Sequence, residues 1–211
     1  MTDRQQPLIA IDVVPVAFDA NTRELLIGTA ARKYEPYAGE HALPGVLLGN
    51  DETLTDAAMR ALRDKAGIDE SKVRHLMQVG AFDGPGRDPR DKAISIAFLA
   101  VVEPYASDTT GWNSWAMTKA LPFDHDRIIA VARDTARTRL WADKAFTQAL
   151  TGELFSSADA GALVTQMTRK KPDAANLNRS LRTTPALEKV GTAEGTPRTA
   201  GGRPANLWRW Q

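Results

Sequence analysis

Apolar positions in the first third of the chain fall in two runs. Residues 8–18 are dense in Ile and Val, Asp19 to Thr22 offer turn chemistry, and residues 23–29 are apolar again, which predicts a strand pair. Residues 32–44 hold Pro36, Gly39 and Pro44 and read as a loop able to reach across a site. Over residues 53–66 the period changes: Leu54, Ala57, Ala58, Ala61 and Leu62 recur at helical spacing and Gly67 supplies a stop. Residues 73–82 and 93–102 read as strands around a Gly/Pro/Asp-rich connection, Asp83 to Asp91, and residues 112–117 as another short strand. Asp124 reads as the N-cap of a helix to about Leu140, with a continuation past Trp141 toward Leu150.

The pattern changes near Gly152. Ser156 and Ser157 can cap a helix over residues 158–168, Lys170-Lys171-Pro172 makes a turn, and residues 174–182 form a second helix. Residues 186–190 and 205–210 then flank a Thr/Gly/Arg/Pro-rich stretch and predict a β-hairpin with an extended tip. Helix, turn, helix and hairpin is a winged-helix order. The expected architecture is therefore α+β in two domains, residues 1–150 and residues 151–211, with no fixed-period repeat.

Composition adds limits. The 211 residues carry 27 Lys+Arg against 26 Asp+Glu, a formal net charge of +1, but residues 151–211 hold nine basic and five acidic side chains, so the second domain is basic and the first acidic. With no cysteine, disulfides, a thiolate nucleophile and Cys-ligated zinc are excluded. His41, His75 and His125 are dispersed and suggest no local ligand motif, and Asp124-His125-Asp126 reads as a helix cap because consecutive helical side chains diverge. The polar start, and the lack of any run near the ~18 apolar residues of a membrane span, predict a cytoplasmic protein without a membrane partner.

Residues 43–68, from Leu43-Pro44-Gly45 to Gly67-Ile68, resemble the Nudix box, whose pattern is G-x5-E-x7-R-E-U-x-E-E-x-G-U with U aliphatic. Aligned on Gly67-Ile68, the chain keeps Glu52, Arg60, Leu62 and Asp64, but Val46 stands for the first glycine, Ala61 for the Glu after the Arg, and Lys65 for the last Glu. The resemblance implies a Nudix-like α/β/α sandwich in which several carboxylates on one helix face hold divalent cations that neutralise a diphosphate and activate water. Ala61 and Lys65, four apart, are expected to share that face, so it has lost two carboxylates and gained an ammonium. Glu52 and Arg60 can still pair as scaffold. No catalytic residue, metal site or required cofactor is expected, and hydrolysis is expected to be lost. Arg87 and Arg90 in the Arg-Asp-Pro-Arg loop can clamp phosphate, joined by Arg32; with Arg60 and Asp64 they form the expected effector-binding set.

Asn176, Asn178, Arg179 and Arg182 fall on the second C-terminal helix and suit base readout, since Asn can pair with adenine and Arg with guanine. Lys170 and Lys171 before that helix, and Arg198 and Arg203 in the expected wing, suit phosphate or minor-groove contact. Taken together, the altered box, the Arg-Asp-Pro-Arg loop, Phe123 to Ile129, Asn176-Leu-Asn-Arg179 and Gly202 to Trp208 resemble the NrtR family of Nudix-related transcriptional regulators of bacterial NAD metabolism. The resemblance implies a homodimer, double-stranded DNA with palindromic operators as partner, ADP-ribose or a related metabolite as the effector that releases DNA, and a C-terminal winged helix-turn-helix domain. Leu177 and Asn178 depart from the family's recognition helix. Two rivals remain: an active Nudix hydrolase of ADP-ribose or another nucleoside diphosphate derivative, and a protein-interaction module docking through Trp208 and Trp210. Those tryptophans are expected instead to pack the wing against the helices.

Overall fold

The computed structural model describes residues 6–117, 120–193 and 204–211. Its organising element is β1 (Leu8–Asp19), which is apolar on both faces and buried on both. β1 runs parallel to β6 (Ala93–Val102), paired from Leu8↔Ala93 to Val16↔Val101. On its other edge it takes two antiparallel partners in succession: β4 (Gly45–Leu47) against residues 10–12, then β2 (Glu24–Ala31) against residues 16–19. Pro15 falls where the partners change. The Val13 N–H donates to the Pro44 carbonyl, so two residues on, the missing N–H of Pro15 faces a gap in the ladder where no donor is needed. β5 (Val73–Phe82) extends the sheet beyond β6, while β3 (His41–Ala42) and β7 (Thr110–Ser114) both pair with β2.

Period-two alternation along β1 splits its side chains between two cores. Ile11, Val13 and Ala17 face α1 (Leu54–Ala61), and Val14, Val16 and Phe18 face α2 (His125–Arg139) and α3 (Lys144–Thr151). This is the expected α/β/α sandwich. α1 starts at a capping box, in which the Thr53 side chain accepts from the Asp56 N–H and the Asp56 carboxylate accepts from the Thr53 N–H. It passes into one π-helical turn, Leu62–Ala66, and stops at Gly67 with φ +68°. The Thr109 and Thr110 hydroxyls both donate to the Ala66 carbonyl left open there.

The long helix expected from Asp124 is two helices. Trp141 adopts left-handed backbone at φ +66°, and Asp143 then caps α3 by accepting from the Phe146 N–H, so the chain turns and starts again. The loop over residues 32–44 contains the short β3, and the strand expected over residues 112–117 lies at Thr110–Ser114.

Next come β8 (Leu154–Ser156), which the sequence does not announce, then α4 (Ser157–Thr168), α5 (Ala174–Thr183), β9 (Leu187–Thr192) and β10 (Asn206–Trp210). The three strands form a sheet in the order β8-β10-β9. Phe155, Ala160, Leu177, Leu181, Trp208 and Trp210 make a separate small core against Trp141. Trp208 and Trp210 are therefore packing residues, as expected, and the Trp210 indole N–H donates to the Thr151 hydroxyl.

α4 also belongs to the large core. Leu163 and Met167 pack with the α2 and α3 side chains. On its rim, Arg23 pairs with Asp159 at 3.0 Å, and the Gln166 amide accepts from the Leu25 N–H and donates to the Arg23 carbonyl at 2.8 Å each.

Trp208→Ala is expected to cost about 3–5 kcal/mol within the small core. Hydrogen exchange checks this: amides of α5 and β9 should lose protection while those of β1 and β6 keep theirs.

Candidate functional site

A cleft of about 250 Å³ opens at the end of the sheet, between the first turn after β2, β4, the π-helical turn and the loop between β5 and β6. Its floor is built on Asp12, a carboxylate buried in the apolar run of β1. A buried charge must be paired, and Arg87 meets it from the Asp83–Asp91 loop with Nη2 2.8 Å from Asp12 Oδ2. The Ser95 hydroxyl of β6 donates to the same oxygen at 2.6 Å. On its other side Arg87 Nε lies 2.9 Å from Asp124 Oδ1 as an ion-pair contact. Asp124 thus holds the N-cap position of α2 without capping it: its carboxylate makes no bond to a helix N–H and faces Arg87 instead.

His125 completes the floor. Its Nδ1 accepts from the Leu43 N–H at 3.0 Å, which leaves the proton on Nε2, 3.6 Å from Asp12 Oδ1. Burial pushes the His125 pKa down, more strongly than the neighbouring Asp12 carboxylate raises it, so the ring is held neutral.

The walls carry the cations. The Arg32 guanidinium sits 4.7 Å from the centre of the Phe123 ring and donates to the Pro36 carbonyl, and Arg90 approaches the same ring at 5.9 Å. Burial, then the nearby Arg90 charge, lowers the Arg32 pKa, though a guanidinium stays charged at any ordinary pH. Arg90 is tied to Asp88. Lys33 and Lys65 also line the cleft, giving five cations against two carboxylates and a net charge of +3 with His125 neutral. Asp12 and Asp88 are the two carboxylates and each already has its arginine, so Arg32, Lys33 and Lys65 are the lining cations with no ion pair among the described residues.

Of the effector-binding set expected from sequence, Arg32, Arg87 and Arg90 line the cleft, and Arg60 and Asp64 do not. Arg60 grips the box loop: Nε is 3.0 Å and Nη2 2.5 Å from the Glu52 carboxylate, and Nη2 also donates to the Leu47 carbonyl. The Arg60 hydrogen bonds, with one from the Gly49 N–H, hold the Glu52 pKa down. Asp64 is exposed and pairs with Arg63 at 3.0 Å. Nor do Ala61 and Lys65 share a face: Ala61 is fully buried against the sheet, whereas Lys65 is exposed at the cleft. The difference arises in the wide π turn, which keeps Leu62 and Ala66 in the core and turns residues 63–65 outward. Among the described residues no three His, Asp or Glu side chains gather as a metal-holding group, and Glu52, Asp56 and Asp64 are all engaged elsewhere. Among the described residues no carboxylate of the box lines the cleft, whereas Lys65 does. The sequence reading missed Asp12, Phe123 and His125; a lone carboxylate inside an apolar strand was the available signal for the first.

The second candidate surface is α5. Asp173 caps it, Leu177 and Leu181 face the small core, and Asn176, Arg179 and Arg182 are exposed, as are Lys170 and Lys171 in the preceding turn. Arg179 Nη1 donates to Asn176 Oδ1 at 3.2 Å. Asn178 differs from the expected readout residue: its amide donates to the Ala174 carbonyl and its oxygen accepts from Asn206 of β10 at 2.6 Å, so it holds the strand to the helix. Arg198 and Arg203 lie outside the described residues.

No protein-family model matches the chain. An ADP-ribose pyrophosphatase of Methanocaldococcus jannaschii is 33% identical over 129 residues, covering 58% of this chain and 71% of that protein. The ADPR-responsive transcriptional repressor NtrR of Acinetobacter baylyi is 29% identical over 151 residues, 65% of this chain and 58% of the repressor, so the match spans little more than half the repressor's length. The structure of Shewanella oneidensis NrtR complexed with a 27mer DNA superimposes with a TM-score of 0.74 at 21% identity, over 96% of this chain and 93% of that one.

Arg87→Met should destabilise the protein by about 3–5 kcal/mol, read by urea unfolding, because it leaves the buried Asp12 carboxylate unpaired. Stability should also fall as pH drops from 7.5 to 5.5. The unfolded His125 gains a proton near its ordinary value while the folded ring stays neutral, so the unfolded state binds more protons, with a slope of at most about 1.4 kcal/mol per pH unit. His125→Gln should remove that part of the slope.

Proposed function

This chain belongs to the Nudix family, and we propose that it falls in the NrtR branch as a DNA-binding transcriptional regulator, a repressor of NAD biosynthesis and salvage genes, whose cleft binds ADP-ribose or a related nucleotide sugar. The observation that carries the reading is the pairing of two surfaces in one chain. A cationic cleft opens beside the turn that ends the box helix, and a capped helix presents Asn176, Arg179 and Arg182 to solvent behind two lysines. The second domain, residues 151–211, is read as a winged helix-turn-helix with α5 as its recognition helix, Lys170 and Lys171 on phosphates, and Arg198 and Arg203 as further DNA contacts. Asn178 keeps β10 in place beneath that helix. Recognition of a palindrome requires a homodimer, so that two copies of α5 meet successive major grooves.

Hydrolysis is absent in this reading. Ala61 supplies no ligand, Lys65 supplies a cation where the box calls for a carboxylate, and Asp64 points away from the cleft to Arg63. Similarity to an ADPR-responsive transcriptional repressor, and to NrtR complexed with DNA, favours the regulator over the pyrophosphatase alternative. In this reading effector coupling runs through packed elements: His125 of the cleft floor begins α2, α2 packs on α4, and α4 precedes the turn into α5. For ADP-ribose to release DNA tenfold it must bind the DNA-incompetent arrangement about 1.4 kcal/mol more tightly.

Fluorescence anisotropy tests the proposal with DNA from upstream of NAD-biosynthesis genes, at two salt concentrations, with and without ADP-ribose. Specific binding that weakens with ADP-ribose is expected, and charge reversal at Arg179 and Arg182 should abolish it. Binding no stronger than to random DNA, together with Mg²⁺-dependent hydrolysis of ADP-ribose, would reverse the assignment in favour of the enzyme.

A further inference from the structure

The cleft carries a cation where the box predicts a metal ligand, and that substitution has a chemical use. Lys65 lies on the π-helical turn, exposed, lining the cleft, with no ion pair among the described residues. We propose that the Lys65 ammonium takes over the charge-neutralising task of the divalent cation, so that this cleft binds a diphosphate ester without any metal. The inference rests on the reading of the cleft as a diphosphate site.

Charge balance supports it. A nucleotide-sugar diphosphate brings about two negative charges at neutral pH, since each phosphate of the diester has a single strongly acidic oxygen. Arg87 and Arg90 are each satisfied by a carboxylate, which leaves Arg32, Lys33 and Lys65 to face the ligand. A diphosphate therefore finds its counter-charge already fixed in the protein. A divalent cation entering beside Lys65 and Arg32 would meet repulsion, with the carboxylates of the box helix held by Arg60, Arg63 and the Thr53 cap. Lysine suits this place as a compact charge on a flexible stem, able to settle between two phosphates without the fixed fork that an arginine would impose.

Titration calorimetry with ADP-ribose tests the inference on the full-length protein, in EDTA and in Mg²⁺ matched for ionic strength with sodium chloride. Wild-type affinity is expected to agree within about twofold between the two buffers. Lys65→Met should bind about tenfold or more weakly in both, from loss of a charge-assisted contact. Lys65→Glu should bind weakly in EDTA and recover in Mg²⁺, because the carboxylate returns a ligand and removes the repelling cation. An unchanged melting temperature for both variants, expected for an exposed side chain, shows that the change lies in the cleft. Wild-type binding that strengthens about tenfold with Mg²⁺, or Lys65→Met binding like wild type, overturns the inference and leaves the effector reading intact. No binding of ADP-ribose by the wild type in either buffer overturns both.

Discussion

A single carboxylate in the middle of the central strand sets the terms for the rest of the molecule. Asp12 lies in β1 among residues that are almost all apolar, and its burial is tolerable because Arg87, Ser95 and His125 converge on it. Each partner comes from a different element, and each is fixed as a result. Arg87 draws the loop between β5 and β6 down over the sheet end, and His125 pins the start of α2 to the Leu43 backbone. Asp124 is recruited to the far side of the same guanidinium instead of capping its own helix. The cleft is the space left above this cluster, so its position follows from where a charge was placed in an apolar strand.

The cluster also divides the labour among the arginines. A guanidinium held between two carboxylates has little positive potential to offer a ligand, whereas one resting on an aromatic ring keeps its charge available. Arg87 is the first kind and Arg32 the second. Treating all loop arginines as equivalent phosphate clamps therefore overstates Arg87, whose role is structural, and understates Phe123, whose face orients Arg32 and Arg90.

Much of the fold was legible because strong patterns produced it. β5 and β6 fall where alternation and apolar runs place them, and α1 is announced by its amphipathic spacing and the stop at Gly67. The break between α2 and α3 was hidden because its left-handed residue is Trp141, with neither Gly nor Pro to mark it. β8 has three residues and takes its identity from β10, far along the chain. The site was legible only in part for the same reason. Arg32, Arg90 and Phe123 come from three separate loops, and no local spacing records that they meet. Asn176 and Asn178 have identical chemistry, and what separates them is Asn206, which claims one of the two.

The Gln166 amide gives α4 a place in the backbone lattice of the sheet. By accepting from Leu25 and donating to Arg23 it imitates the rung of a neighbouring strand, and Asp159 clasps the same corner. With Leu163 and Met167 sunk in the large core beneath, the first helix of the basic region is anchored through its face as well as its rim. The helix-turn-helix is therefore joined to the sheet that carries the cleft by side-chain packing and hydrogen bonds, and not by the linking backbone alone.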